Sequence, residues 1–264
     1  MRPARLLYAL LSAILLTFGA VIGASPASAA TGPYAALGDS YSSGEGTGNY
    51  ISSSGSCRRS PNAYPQLWAS ANSPSSFAFV ACSGATTQDV INNQLGALNG
   101  ATSLVTVSAG GNDAGFAGAM QTCVLQGTDA CLTAVDNAKT FATNQLPARL
   151  NSLYTQIRNR APNARVVVLG YPHLYKIGGS CSFGISDTSR NAINSAADTI
   201  DSVTSGRASA HGFAFGDVRG IFTNHEICSD DWWLNSTRLA VHESYHPNAK
   251  GHSLGYLPTL FAKD

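Results

Sequence analysis

Ser40 is the first residue of the chain whose setting suggests chemistry. It ends the tripeptide Gly38-Asp39-Ser40, directly after the apolar run 34–37. A short apolar run that stops at small polar residues is typical of a buried strand that delivers a side chain to the carboxyl edge of a sheet. A serine hydroxyl is a weak nucleophile at neutral pH and needs an adjacent base. Most serines in Gly/Ser-rich loops only form turns or cap helices, so a catalytic role for Ser40 requires that base.

His246 is the best candidate for the base among the six histidines. Pro247 follows it, and proline cannot continue a preceding helix but fits the first turn of a new one. The imidazole is therefore expected at a rigid junction between a loop and a helix. Glu243 lies three residues earlier, where a carboxylate could orient the ring. A single histidine is more often structural, but these neighbours favour a catalytic role for His246.

Two more loops of small polar residues follow apolar runs. The run 77–81 leads into a loop that contains Gly84, and the run 104–108 leads into a loop that contains Asn112. Because the carboxyl ends of parallel strands meet at one edge of a sheet, these loops are expected to converge with Ser40 on one site.

Segments typical of strands and of helices alternate along the chain. Continuous runs of Val, Leu, Ala and Phe suit strands that are covered on both faces. The predicted strands are 34–37, 77–81, 104–108, 165–169 and 213–215. The predicted helices are 62–71, 88–98, 146–160 and 186–205. This alternation predicts an α/β fold with a doubly wound parallel sheet and helices on both sides.

Residues 1–30 are predicted to be a secretory signal peptide. Two arginines precede an apolar stretch, and the segment closes on Ala-Ser-Ala, so that cleavage after Ala29 or Ala30 fits equally well. An uncleaved membrane anchor is the alternative, but the small-residue ending favours a signal. Residues 31–264 are expected to form one domain, because no linker, charge run or repeat divides them. The protein is therefore expected to be secreted.

The charge balance argues against nucleic acid as a partner. Removal of the signal takes away two arginines and no acidic residue, which leaves fourteen basic residues against fifteen acidic ones. A near-neutral chain without basic clusters is not suited to hold nucleic acid. No later stretch is long and apolar enough for stable membrane insertion, and we expect a monomer.

All six cysteines lie after the predicted signal: Cys57, Cys82, Cys123, Cys131, Cys181 and Cys228. An even number in an oxidising compartment favours disulfides, and the paired C-x-x-C spacing of a metal site is absent. Sequence alone leaves many pairings open. We expect neighbours to pair in order, because Cys123 and Cys131 bracket one short loop that could close on itself.

Four loops together match one family pattern. In order and spacing, the chain resembles the SGNH hydrolases, also called GDSL esterases and lipases, at Gly38-Asp39-Ser40, Gly84, Gly111-Asn112-Asp113 and His246-Pro247. The agreement covers nearly all of the chain after the predicted signal. With six cysteines and Gly-Asp-Ser-Tyr in the first block, the chain looks like the secreted actinobacterial lipase and esterase branch. The resemblance implies a flavodoxin-like, three-layer α/β/α sandwich with a five-stranded parallel sheet.

The resemblance also implies a role for each block. Ser40 would attack an ester carbonyl, and His246 would take its proton and then protonate the leaving alkoxide. The main-chain N–H groups of Ser40 and Gly84 and the side-chain amide of Asn112 would form an oxyanion hole. A glycine at position 84 suits this role, because without a Cβ its main-chain N–H can approach the oxyanion closely. No metal and no organic cofactor is expected.

The third catalytic position departs from the family pattern. Most members have Asp three residues before the histidine, whereas this chain has Glu243. The longer side chain could still reach Nδ1 of His246. A main-chain carbonyl from the segment around Ser244 could orient the ring instead, as is thought for some relatives, and the sequence leaves both open. Asp39 and Asp113 are expected to shape their loops as hydrogen-bond acceptors rather than to act in catalysis.

Other motifs have competing interpretations. Residues 251–255, Gly-His-Ser-Leu-Gly, match the G-x-S-x-G nucleophile elbow of the α/β-hydrolases, but no strand precedes them and no further histidine follows. They are expected to open the C-terminal helix. Trp232 and Trp233 could line an acyl or sugar groove or form a packing cluster. The loop between Cys123 and Cys131 could shape substrate entry.

These observations favour a secreted serine hydrolase that cleaves carboxylic ester bonds of acyl lipids, with a small-molecule or lipid ester as its substrate. A phospholipase or a carbohydrate O-deacetylase could use the same residues. A secreted carbohydrate-binding module would explain the cysteines but not the combination of Ser40, Asn112 and His246. Charged residues make up only 12% of the chain, which favours acyl over sugar ligands.

Overall fold

A computed structural model describes residues 32–181 and 184–264. The predicted signal, residues 1–30, lies outside the described residues. Within the described ranges, no helix is both long enough and apolar enough to cross a membrane.

A five-stranded sheet forms the centre of the fold. Its strands are β1 (Tyr34–Ala36), β2 (Phe77–Phe79), β3 (Leu104–Val107), β4 (Arg165–Leu169) and β5 (Ala214–Gly216). They lie in the order β2-β1-β3-β4-β5, and every neighbouring pair is parallel. All of β3 and all but the first residue of β4 are buried, as continuous apolar runs require when helices cover both faces. The five predicted strands are confirmed, with ends that differ by at most two residues.

In the described part of the chain, eight α-helices connect and cover the strands. They are α1 (Ser40–Ser43), α2 (Tyr64–Asn72), α3 (Thr87–Asn93), α4 (Phe116–Leu125), α5 (Thr128–Asn144), α6 (Leu146–Arg160), α7 (Asp187–Ala210) and α8 (Leu257–Phe261). Short 3₁₀ helices span Ser52–Cys57, Leu95–Ala97 and Val241–Glu243, and a π-helical turn, Gly251–Tyr256, leads into α8. The four predicted helices correspond to α2, α3, α6 and α7.

The segment between Cys123 and Cys131 differs from its predicted loop structure. Cys123 lies in α4 and Cys131 in α5, and only a two-residue connection separates these helices. Glycines at positive φ, Gly115 and Gly127, immediately precede the two helices, and they make the segment look like a loop in the sequence. Tertiary packing decides otherwise, because α5 buries one face against α4 and α7.

Helices on both sides of the sheet give the fold three layers. α2 packs with α8, whereas α3, α6, α7 and α5 pack on one another in that order. The core between the layers contains large, fully buried side chains such as Tyr34, Tyr154 and Ile157. The hydroxyl of Tyr34 is bonded to the hydroxyl of Thr106 at 2.8 Å, so its burial leaves that polar group satisfied. The predicted α/β/α sandwich is confirmed.

Three disulfides pair the cysteines in sequence order, as predicted. They are Cys57–Cys82, Cys123–Cys131 and Cys181–Cys228, and the described residues contain no free cysteine. The first bridge joins the segment after α1 to the loop after β2, and the second joins α4 to α5. Both therefore restrain segments that follow strand ends at the carboxyl edge of the sheet. Each bridge is expected to contribute about 2–4 kcal/mol, chiefly by restricting the unfolded chain.

Candidate active site

The turn between β1 and α1 places Ser40 at the carboxyl edge of the sheet. Gly38 adopts a φ of 122° there, and a Cβ at this position would collide with the main chain of Ser108. The side chain of Gln94 accepts from the N–H of Gly38 at 2.7 Å and donates to its carbonyl at 2.9 Å. Asp39 caps α1, because its carboxylate accepts a main-chain N–H of the first turn. Ser40 is the first residue of α1, so its own N–H has no partner within the helix.

His246 approaches Ser40 from the loop that precedes α8. Its Nε2 lies 2.8 Å from Oγ of Ser40. Asn235 fastens this loop, because its N–H donates to the carbonyl of His246 and its carbonyl accepts the N–H of Tyr245, both at 2.9 Å. The hydroxyl of Tyr41 donates to the carbonyl of Tyr245 at 2.7 Å and so ties the loop to α1. The structure thus brings the two predicted residues into direct hydrogen-bond contact.

Glu243 is not brought to the histidine ring. Its carboxylate accepts a hydrogen bond from the hydroxyl of Tyr50 at 2.7 Å. Among the described residues, no hydrogen bond or ion pair links Glu243 to His246. Tyr245 lies between them at a φ of 64°, so a spacing of three residues does not place the two side chains on one face as it would in a helix. This geometry does not support a contact between Glu243 and Nδ1, the first of the two alternatives that the sequence leaves open.

Main-chain carbonyl groups near the His246 ring influence its protonation. The main-chain carbonyl groups of Ser244 and His242 favour the protonated ring, whereas Nδ1 itself is buried and has no hydrogen-bond partner among the described residues. Burial has the largest effect and lowers the pKa of His246, whereas the negative charge of Glu45 and the two carbonyl groups act in the opposite direction. The ring is therefore kept neutral, which is the state a base requires. Of the two alternatives for orienting the ring, the geometry favours the main-chain carbonyl.

The donors expected to form an oxyanion hole line the same cavity as the Ser40–His246 pair. Gly84 has a φ of 78°, in the left-handed region that favours glycine, and no described atom lies within 4 Å of the position that a Cβ would take. Asn112 is oriented by a hydrogen bond from Nδ2 to the carbonyl of Ala85 at 3.0 Å. A side-chain amide has two N–H donors, so the second remains for a ligand.

Two buried aspartates hold these loops in place, as expected. Asp39 accepts hydrogen bonds from the hydroxyls of Tyr171 and Ser108, both at 2.6 Å. Burial raises the pKa of Asp39 to about 6, and these hydrogen bonds oppose the rise. Asp113 accepts from the N–H and the hydroxyl of Thr87 at 2.8 and 2.7 Å, which anchors the loop after β3 to the first turn of α3.

A largely apolar cavity of about 660 Å³ opens beside the Ser40–His246 pair. α4, α5 and α7 supply much of its wall, with side chains that include Phe116, Met120, Val124, Ala138, Ile193 and Ala196. Leu125 and Val241 also line it and are largely exposed. No motif marks these residues in the sequence, because the wall forms only when α4 packs on α5 and α5 packs on α7. In the sequence, only the apolar and small residues that follow the loop containing Asn112 indicate such a wall.

The remaining motifs lie outside this cavity. Trp233 is buried and stacks on His225 with ring centroids 3.7 Å apart, so it belongs to a packing cluster. Trp232 is exposed and lines a separate, smaller cleft. Residues 251–255 form the helical turn before α8 rather than a strand-to-helix elbow, as predicted.

This arrangement is suited to acyl transfer. A serine hydroxyl is bonded to a neutral imidazole, and main-chain and amide donors line the same cavity, where negative charge on an oxygen could be bound. The apolar wall can hold the hydrocarbon part of a ligand next to the hydroxyl.

The chain is similar to known proteins over most of its length. Residues 36–254 match the sequence model of the GDSL-like Lipase/Acylhydrolase family. The chain is 53% identical to Lipase 1 of Streptomyces coelicolor, and the alignment covers 98% of both chains.

Two solved structures share the fold at high sequence identity. One is phospholipase A1 from Streptomyces albidoflavus NA297, which is 58% identical, with a TM-score of 0.87. The other is an extracellular lipase from Streptomyces rimosus, which is 54% identical, also with a TM-score of 0.87. Each comparison covers 89% of this chain and 100% of the relative.

Proposed function

Because the chain belongs to the GDSL-like lipase/acylhydrolase family, we propose that it hydrolyses carboxylic ester bonds of acyl lipids through an acyl-enzyme formed on Ser40. The observation that carries this proposal is the 2.8 Å contact between Oγ of Ser40 and Nε2 of His246, beside an apolar cavity. The similar proteins described above are named as lipases and as a phospholipase A1, which agrees with an ester as substrate.

The reaction begins with a proton transfer. Neutral His246 accepts the proton of Ser40 at Nε2 as Oγ attacks the ester carbonyl carbon. The N–H groups of Ser40 and Gly84 and the amide of Asn112 then stabilise the oxyanion. His246 returns the proton to the leaving alkoxide, and the acyl group stays on Oγ. A water molecule, activated by the same imidazole, then attacks the acyl-enzyme and releases the carboxylic acid.

Main-chain carbonyl groups orient His246 in this mechanism. Because Nε2 lies against Ser40, we assign the effect of the Ser244 and His242 carbonyls to Nδ1; the tautomer that carries its proton on Nδ1 then leaves Nε2 free to accept from Ser40. A carbonyl group carries no net charge, so it stabilises the imidazolium less than the carboxylate of a complete triad would.

The wall of the cavity supports an acyl chain as the ligand. It is apolar over most of its surface, and exposed aliphatic side chains such as Leu125 and Val241 continue it to the outside. A sugar would need several polar groups there, so this wall favours an acyl ester over the carbohydrate O-deacetylase and carbohydrate-binding alternatives. Phospholipid esters are a second candidate, because the relative at 58% identity is named phospholipase A1.

We also infer that the protein acts outside the cell as a monomer, without nucleic acid or a cofactor. All six cysteines are paired, as expected in an oxidising compartment. The relative from Streptomyces rimosus is named an extracellular lipase. The predicted signal at residues 1–30 agrees with export.

Ester hydrolysis by the wild type and by Ser40→Ala tests this function. Both proteins, with disulfides intact and in the presence of EDTA, are assayed on p-nitrophenyl esters from acetate to palmitate and on phosphatidylcholine. We expect activity that EDTA spares and Ser40→Ala loses, and labelling of the wild type by a fluorophosphonate. The preferred chain length then distinguishes an esterase from a lipase.

Ser253→Ala is the matched control. It removes the serine of the other G-x-S-x-G match, which lies in the turn before α8, and should leave activity unchanged. If the wild type neither hydrolyses any of these esters nor reacts with the fluorophosphonate, the proposal is wrong, and acetylated sugars are the next substrates to assay.

A further inference from the structure

Glu45 is a buried carboxylate beside the Ser40–His246 pair that the mechanism above does not use. It follows α1, and its side chain is only 3% exposed. Its N–H donates to the carbonyl of Ser40 at 3.2 Å, so it is fixed to the turn that carries the nucleophile. Burial of a carboxylate is unfavourable unless charged or polar partners compensate it. The groups that contact Glu45 must therefore compensate its buried charge.

The two carboxylate oxygens face different parts of the site. Oε1 accepts a hydrogen bond from Arg58 at 2.7 Å and lies 3.0 Å from Nδ1 of His242. Oε2 accepts a hydrogen bond from the hydroxyl of Ser83 and lies 4.0 Å from Nε2 of His246. Among the described residues, no other carboxylate comes this close to the His246 ring. The charge therefore lies on the side of the ring that takes the proton from the nucleophile.

We propose that Glu45 is a positioning residue whose charge stabilises the protonated form of His246, in place of the acid that Glu243 does not supply. This inference rests on the proposed function. When Ser40 attacks, His246 becomes a cation, and a negative charge within about 4–6 Å favours that state. The carbonyl groups of Ser244 and His242 carry no net charge, so among the described residues Glu45 is the closest source of a negative charge.

The other groups around the ring do not replace this charge. His242 lowers the pKa of His246 when it is itself charged. Tyr41 packs with its ring centroid 5.4 Å from that of His246, and burial raises its pKa so that it stays neutral. His252 is buried, which lowers its pKa to about 3, so it is also neutral near pH 7. Glu45 is the group whose charge raises the pKa of His246 most.

A purely structural role for Glu45 is the alternative. Through Ser83 it connects the nucleophile turn to the loop that carries Gly84, and through Arg58 it connects that turn to the segment closed by the Cys57–Cys82 bridge. Loss of these structural contacts or loss of the negative charge would each lower activity. Only loss of the charge would also change the protonation of His246.

Glu45→Gln tests the proposal, with the pH profile of kcat/KM as the readout. Glutamine keeps the size and an acceptor oxygen but removes the charge. We expect kcat to fall by about tenfold or more, since general base catalysis depends on the stability of the imidazolium. We also expect the acid limb of the profile, which reports His246 in the free enzyme, to move down by about one pH unit. The direction follows because the ring loses its proton more readily without Glu45.

Two controls isolate the charge from the structural tie. Ser83→Ala removes the contact to the Gly84 loop but keeps the carboxylate, so the acid limb should stay in place. Glu226→Gln makes the same chemical change at a glutamate that bonds Ser229 and lies outside the cavity, and it should behave as the wild type. A folded Glu45→Gln enzyme with an unshifted acid limb would overturn the proposal, as would an equal shift in Ser83→Ala.

Glu45→Asp keeps the test decisive if Glu45→Gln does not fold. Aspartate retains the charge but places it one methylene farther from His246. The acid limb should therefore move to lower pH by a smaller amount than in Glu45→Gln. An unmoved limb would contradict the proposal. An inactive wild type would instead refute the proposed ester hydrolysis, so the two failures are distinguishable.

Discussion

The Glu243→Gln variant separates the two ways in which His246 could be oriented. If the carboxylate were the acid of a catalytic triad, its loss would lower kcat by about 10⁴-fold, as in serine proteases whose triad aspartate becomes an amide. In the structure, however, Glu243 accepts from the hydroxyl of Tyr50 at 2.7 Å, and no hydrogen bond or ion pair joins it to His246. We therefore expect the variant to retain most of its activity.

The magnitude follows from that single hydrogen bond. Glutamine can still accept from Tyr50, so the substitution exchanges a charged acceptor for a neutral one. Hydrogen bonds contribute about 1.5–3 kcal/mol when one partner is charged and about 0.5–1.5 kcal/mol otherwise, so the free energy of unfolding should fall by about 1 kcal/mol. For a domain of this size the corresponding shift in Tm is about 2–4 °C. Even if the whole loss displaced His246, kcat would fall by only about fivefold.

The assay combines steady-state kinetics on a p-nitrophenyl ester with thermal unfolding of four proteins. These are the wild type, Glu243→Gln, Tyr50→Phe and the double variant. Tyr50→Phe removes the same hydrogen bond and should lower Tm without a large loss of kcat, and the double variant should lose little more than either single one. A fall in kcat of a hundredfold or more in Glu243→Gln at nearly unchanged Tm would refute the main-chain carbonyl as the orienting group.

Three further predictions concern the oxyanion hole, the cavity and the buried acid Asp201. Asn112→Ala should lower kcat by about 10²–10³-fold with little change in KM, because one donor to the oxyanion is lost. Steady-state kinetics on the folded variant measure this loss, and an unchanged kcat would mean that Asn112 does not bind the oxyanion. Ala196→Phe should reduce kcat/KM for long acyl esters more than for acetate, by about fourfold for each methylene excluded from the cavity. Steady-state kinetics over a series of esters measure this, and an equal effect at all acyl lengths would mean that the acyl chain does not bind in this cavity. Burial raises the pKa of Asp201 to about 8. Between about pH 4 and pH 8 the folded protein therefore keeps a proton on Asp201 that the unfolded chain has released. The contribution of Asp201 to the free energy of unfolding falls as pH rises through this range. Asp201→Asn should therefore gain stability over the wild type as pH rises through this range, as measured by urea unfolding, and a constant difference across the range would contradict the assignment.

Helix α6 and the pair α4–α5 illustrate what local sequence patterns can predict. The predicted range 146–160 coincides with α6, because a proline stands in its first turn, arginines stand in its last turn and buried leucines recur along one face. α4 and α5 are missed, because glycines precede both helices and small residues fill much of α4. Their helical structure depends on packing of α4 on α5 and of α5 on α7, which no local window of sequence contains.

The sequence predicts Ser40, Gly84 and Asn112 at one edge of the sheet and His246 as the candidate base, and the resemblance to the family implies their roles. It leaves the disulfide pairing open, with neighbours as the expected pairs. Parallel strands bring their carboxyl ends to one edge, so residues that follow successive strands must meet there. The partner of Glu243 and the position of Glu45 depend on loops. The left-handed backbone at Tyr245 directs Glu243 away from His246, and the contacts of Glu45 come from Arg58, Ser83 and His242, which lie in three other segments.

The sequence by itself therefore determined the fold and the family and predicted the Ser40–His246 pair, because these follow from strand order and from short motifs. Only the tertiary structure decided which charges surround the base and what lines the cavity. The physical reason is that a hydrogen bond or a charge contact depends on distances of a few ångströms between segments far apart in the chain. Loop conformation and helix packing set those distances, and residue spacing does not.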